Sequence, residues 1–214
     1  MLNIRCFVCN MLQENTYIVS DDTNECVVID CGAYYEEERR AIVNYIRSKQ
    51  LRLVHVLCTH GHFDHCFGND TLWREFGVQP ELAAEDESLC DIDRQMRSLL
   101  GTSYDHESAP VLRFLEPFEV ITFGHHQLQV LPTPGHTRGG VSFYCQQENV
   151  VFTGDTLFRM SMGRTDFEGG SWQQIQHSLN QVLAKLPPET VAYPGHGPQT
   201  VIADEIKSNP YMSK

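Results

Sequence analysis

Three histidines and an aspartate fall within six residues, as His60-Gly61-His62-Phe63-Asp64-His65, directly after an apolar run at 53–58 that is broken only by His55. Burying so many polar donors is costly unless a cation or hydrogen bonds satisfy them. The chain must therefore present this segment at a strand end, where active-site loops of α/β proteins lie. In an extended loop His60 and His62 project to the same side and can converge on one cation, while Asp64 and His65, a step further on, can face a neighbouring one. Structural zinc favours thiolates in a closed tetrahedron, so imidazole and carboxylate point to an open, catalytic metal site.

The strand-then-loop pattern recurs. The run 128–131 leads into Pro134-Gly135-His136, 150–152 into Gly154-Asp155, and 191–193 into Pro194-Gly195-His196, each placing one further donor beside a glycine that lets the backbone approach closely. Seven donors, His60, His62, Asp64, His65, His136, Asp155 and His196, are expected to converge from four loops.

The rest of the chain supplies the scaffold. Residues 3–9, 16–19 and 26–30 read as an N-terminal meander, and 36–50 as a helix with acids in its first turn. Residues 72–76 and 85–100 read as packing helices stopped by Gly77 and Gly101. From 118 the strand signal resumes, and a capping box at Ser171-Trp172-Gln173-Gln174 opens a last long helix to 186. A short helix over 201–207 follows. This order suits an α/β (α+β) fold of two sheets with helices on both outer faces, in one domain spanning 1–214. Residues 101–116 carry no clear period and are the candidate lid, with Tyr104 a residue that could close the site.

Composition removes some partners. The 214 residues carry 16 basic and 28 acidic side chains, a formal charge of −12, which disfavours nucleic acid and anionic membranes. No apolar run reaches the roughly 18 residues of a spanning helix, and nothing resembles a secretory signal, so the expected compartment is the cytoplasm. The eight cysteines are accordingly expected to stay reduced, with Cys6 and Cys9 half-buried in a strand and Cys58 and Cys66 packing beside the histidine loop.

As a set, His60-x-His62-x-Asp64-His65, His136, Asp155 and His196 resembles the five-part signature of the metallo-β-lactamase superfamily, and the likeness covers nearly the whole chain. The resemblance implies a four-layer αββα sandwich. It implies one metal on His60, His62 and His136, a second on Asp64, His65 and His196, and Asp155 bridging both; zinc is the expected ion, with iron and manganese also suited. Asp155 stands where zinc β-lactamases of the first subclass carry cysteine, and His65 where they carry arginine, which points away from antibiotic hydrolysis. His62 stands where the oxygen-reducing diiron flavoproteins have glutamate.

The segment 153–158 through Gly163-Arg164-Thr165-Asp166-Phe167 is similar to the post-ligand loop of the glyoxalase II-like group. Glyoxalase II proper continues into a helical domain that contacts glutathione, whereas 18 residues follow His196 here, so the compact single-domain relatives fit better. The implied chemistry is thioester hydrolysis of a small-molecule substrate by a metal-bridging hydroxide, with Asp64 and Asp155 holding or relaying the proton. Arg164 is the candidate for a substrate carboxylate, and Asp30, at a strand end, for bracing the histidine loop. The competing reading is a persulfide dioxygenase with one iron on His60, His136 and Asp155; a lactone hydrolase and a metal-binding module without catalysis are further alternatives.

Overall fold

The computed structural model describes residues 1–212, so the last two residues of the expected span 1–214 lie outside it. Two six-stranded sheets form the centre. The first runs in the order β1 (Asn3–Cys9), β2 (Glu14–Ser20), β3 (Glu25–Ile29), β4 (Arg52–Leu57), β5 (Pro80–Ala83) and β6 (Arg113–Leu115); it is antiparallel through β3 and parallel beyond. The second contains β7 (Val120–Phe123), β8 (His126–Pro132), β9 (Val141–Cys145), β10 (Val150–Gly154), β13 (Val191–Pro194) and β14 (Thr200–Val201), with the β11 (Leu157–Phe158) and β12 (Ser161–Met162) ribbon beside it.

Side-chain alternation along the strands explains the layering. Tyr17, Val19, Val27 and Ile29 point between the sheets, against Phe123, Leu128, Val130, Phe143 and Phe152. Their neighbours Ile18 and Val28 point the other way, onto Ile42 and Ile46 of α1 (Glu36–Ser48) and Leu72 of α3 (Asn69–Phe76). On the second sheet Leu131, Tyr144 and Val151 face outward against Ile175 of α5 (Trp172–His177), Leu179, Leu183 and Ile202 of α6 (Ile202–Ser208). The result is the αββα sandwich, with the strand ends of both sheets free to carry loops.

Two helices differ from expectation. The segment read as one helix over 85–100 is a 3₁₀ turn, Ala84–Leu89, followed by α4 (Ile92–Leu100). The break falls at Asp91, whose side chain accepts a hydrogen bond from Arg94 N at 3.0 Å and so caps a new helix instead of continuing the old one. The long helix from Ser171 is α-helical only to His177, then passes through a π turn, Ser178–Val182, and a 3₁₀ turn, Leu183–Lys185. Within this irregular stretch Ser178 Oγ donates to Pro134 O at 2.7 Å, tying the helix to the loop that carries His136.

Residues 101–112 are irregular, but Tyr104 does not close the site. It is buried against Phe67 and Met96, and its hydroxyl donates to Phe67 O at 2.8 Å and accepts from Arg39. Tyr104 thus braces α2 (Phe63–Cys66) from behind. All eight cysteines are free thiols. Among the described residues no helix is long and apolar enough to cross a membrane.

Candidate metal centre

Four strand ends deliver the donors. The loop after β4 carries His60 and His62, the turn after β8 carries His136, the end of β10 carries Asp155, and the turn after β13 carries His196. Asp64 and His65 sit on α2, a single helical turn rather than a loop. Two glycines permit the convergence. Gly135 has φ +136°, and a Cβ there would lie 2.2 Å from Ile175 N; Gly154 has φ +48°, and a Cβ would lie 2.2 Å from Thr59 Oγ1.

The donors meet in three overlapping groups: His60, His62 and His136; Asp64, His65 and His196; and His60, His65 and Asp155. His62 Nδ1 and His136 Nε2 lie 2.9 Å apart, and His65 Nε2 and His196 Nε2 3.3 Å. Asp64 Oδ2 is 3.3 Å from His196 Nε2 and 3.7 Å from His65 Nε2. Asp155 stands between the groups, with Oδ1 3.3 Å from His65 Nε2 and Oδ2 3.5 Å from His136 Nε2.

Hydrogen bonds behind the rings fix which nitrogen points inward. His136 Nδ1 faces Arg164 O at 2.7 Å, His196 Nδ1 faces Leu12 O at 3.1 Å, and His65 Nδ1 faces the Asp30 carboxylate at 3.0 Å. Each Nδ1 therefore carries a proton, and each Nε2 is turned toward the centre. His60 Nε2 is buried with no hydrogen-bond partner, and so is Asp155 Oδ1 despite its closeness to His65. Imidazole nitrogens and carboxylate oxygens gathered this closely, with His60 Nε2 and Asp155 Oδ1 left unpaired, are a chemical fit for cations.

The electrostatics follow from burial and neighbours. Burial, reinforced by His65, His62 and His136, pushes the His60 pKa well below its ordinary value. Burial and His136 bring that of His62 down to about 4. Both rings are therefore neutral at physiological pH. Burial works against charge at His65, yet Asp155, Asp64 and Asp30 outweigh it and push its pKa well up. Burial also opposes ionisation of Asp155, but the His65, His136 and His196 rings overcome it and hold the carboxylate below its usual range; Asp64 is shifted the same way by His65 and His196.

Asp30 is buried at the end of β3, where it accepts from Thr59 N and Thr59 Oγ1, both at 2.7 Å, as well as from His65. Arg164 contributes its carbonyl to His136, while its guanidinium is turned to Asp166 in a two-pronged ion pair at 2.6 Å and lies 4.0 Å over the Phe167 ring. Cys58 and Cys66 pack behind the loop with their sulfurs 4.0 Å apart.

Two carboxylates escaped the sequence reading. Asp86 accepts from Gly61 N at 3.1 Å and Gly139 N at 2.7 Å, clasping the loops of His62 and His136 together. Glu14 is fully buried beside Asp30 and His65, bonded to Thr16 Oγ1, and burial holds its pKa well above the carboxylate range. Both lie in polar stretches that sequence alone reads as turn or helix surface. Asp86 had one available signal, a run of three acids that a helix face would leave solvated and a 3₁₀ turn does not.

The family model of the metallo-beta-lactamase superfamily matches residues 9–196. A hydroxyacylglutathione hydrolase, GloC, of Haemophilus influenzae is 30% identical over 213 residues, 99% of either chain. Among solved structures, BLEG-1, described as a B3 metallo-beta-lactamase, superposes with a TM-score of 0.91 at 29% identity, covering 99% of this chain and 100% of that one. TTHA1623 in a di-iron-bound form gives 0.84 at 35% identity, covering 97% and 99%.

Proposed function

We propose that this chain, which belongs to the metallo-β-lactamase superfamily and is a metal-dependent hydrolase of it, cleaves thioesters in the manner of hydroxyacylglutathione hydrolases. The observation that carries this reading is the set of inward-facing imidazole nitrogens around two ionised carboxylates, with His60 Nε2 and Asp155 Oδ1 buried and unpaired, at the floor of an open cleft of about 640 Å³. His60, His62 and His136 would hold one divalent ion, Asp64, His65 and His196 a second, and Asp155 would touch both. A bound pair of this kind supplies a hydroxide at neutral pH and polarises a carbonyl.

The chain's own groups complete the reaction. Asp64 and Asp155, kept ionised by the histidines, can accept a proton at the oxygens that face the cleft. The fixed Nδ1 hydrogen bonds keep His65, His136 and His196 from rotating as charge changes at the centre. A thiolate leaves without a strong general acid. A small-molecule substrate in the cytoplasm belongs to the same proposal, as do zinc as the resident ion and the bracing role of Asp30.

Metal analysis of protein purified without added metal, joined to thiol release and oxygen uptake on the same sample, tests this. Two zinc ions with thiol release support it. One iron with oxygen uptake on a persulfide supports the dioxygenase alternative, in which His60, His136 and Asp155 are the ligands. The likeness to BLEG-1 puts a β-lactam in the same assay, and lactam cleavage faster than thioester cleavage would overturn the proposal.

A further inference from the structure

We infer that the cleft is shaped for thioesters whose non-reacting portion is apolar and uncharged, rather than for the anionic tripeptide carried by a glutathione thioester; this rests on the hydrolytic reading above. Its walls are built from hydrocarbon. Phe158 lies against His196 and Phe167 against His62, with ring centroids 6.1 and 5.6 Å apart, so apolar surface begins at the ligands themselves. Leu12, Leu99 and Leu100 continue it outward while remaining 45, 46 and 49% exposed. Single exposed leucines are ordinary, but three facing one cleft beside a reactive centre mark a binding surface.

Leu99 and Leu100 have no other evident duty. The core-facing side of α4 is Ile92, Gln95 and Met96, and the helix stops at Gly101 directly after the two leucines. Their backbone is nevertheless positioned, because Gln95 Nε2 donates to Gly61 O at 2.9 Å and so fixes α4 against the loop of His60 and His62. The pair is held over the site by the same contact that orders the ligands.

Charge argues the same way. A glutathione thioester brings two carboxylates and one ammonium. Histidine ligands aside, Arg164 is the one basic side chain among the described residues lining the cleft, and both prongs of its fork are taken by Asp166. An incoming carboxylate would have to displace Asp166 or go unpaired, and the formal charge of −12 opposes its approach. An alkyl or aryl group meets neither obstacle.

The test uses the metal-loaded enzyme with acetyl, butyryl, hexanoyl and octanoyl thioesters of the neutral thiol N-acetylcysteamine, alongside S-lactoylglutathione. kcat/KM is expected to rise about two- to fourfold per added methylene until the cleft is filled, the factor that burial of a CH₂ supports, and to exceed the value for lactoylglutathione by hexanoyl. In the Leu99→Ser, Leu100→Ser double variant the dependence on chain length should flatten, with circular dichroism confirming that it folds. A flat series together with preference for lactoylglutathione overturns the inference and leaves thioester hydrolysis standing. Absence of thiol release from every probe, with metal content verified, overturns the hydrolytic reading itself.

Discussion

Asp30→Asn isolates the effect of one oxygen atom. Asp30 holds a left-handed backbone, φ +49°, which asparagine tolerates well, and the two side chains have nearly the same volume. Oδ1 can still accept from Thr59 N. The amide nitrogen then replaces Oδ2, which accepts from both Thr59 Oγ1 and His65 Nδ1. The opposite amide orientation would set a donor against Thr59 N–H and is worse. With the amide in place, His65 either leaves a buried N–H unpaired, at a cost of about 1–3 kcal/mol, or moves its proton to Nε2. The second course preserves stability but fixes a donor toward Asp64, Asp155 and His196, where the proposed metal would need a lone pair. Loss of such a bracing partner typically lowers metal affinity about 10- to 100-fold, equivalent to about 1.4–2.7 kcal/mol. Chelator competition on the purified variant measures the affinity, and urea unfolding separates the two courses. Asp30→Asn protein with both wild-type metal affinity and wild-type stability would refute the tautomer argument.

Asp155→Ala is expected to abolish thioester turnover and lower bound metal, read by metal analysis, while Cys66→Ala should do neither and lose only about 1 kcal/mol from a small cavity. Gly135→Ala should cost about 3 kcal/mol or more, since a Cβ would lie 2.2 Å from Ile175 N in a backbone region alanine avoids; its thermal midpoint checks this. Asp21 gives a pH prediction away from the metal centre. Burial opposes its ionisation, but hydrogen bonds from Thr23, His125 and His126 outweigh burial and hold its pKa below the usual range. A carboxylate depressed in the folded state contributes stability above its unfolded pKa, about 3.9, and loses it as pH falls toward the folded value. Asp21→Asn should therefore be less stable than wild type by about 1–3 kcal/mol at pH 6, and the gap in urea midpoint should begin to narrow as the pH falls below about 4.

What was legible in the sequence follows from how locally each feature is encoded. The candidate ligands His136, Asp155 and His196 stand in short stretches where a strand, a glycine and a donor follow one another, so their chemistry and their position at a strand end are written together. The sandwich was legible for a similar reason, since period-two alternation assigns Ile18 and Val28 to one face and Tyr17 and Val27 to the other without reference to any distant residue. Asp86 and Tyr104 are different in kind. Each takes its role from partners set by tertiary structure: the backbone of Gly61 and Gly139 converges on Asp86, and Phe67 and Arg39 draw Tyr104 inward. The break at Asp91 lies between these cases, because its bond to Arg94 is local yet competes with a helical period that reads continuously across it. The cleft follows from the same distinction. Leu99 and Leu100 look in sequence like the apolar face of a packing helix, whereas at the end of the capped, shortened α4 they line the cleft beside the candidate ligands. Restoring that helix is the corresponding test: Asp91→Ala removes the cap at a cost of about 1 kcal/mol. If the cap is what positions α4, the variant should also lose part of the chain-length dependence among thioesters while retaining its metal.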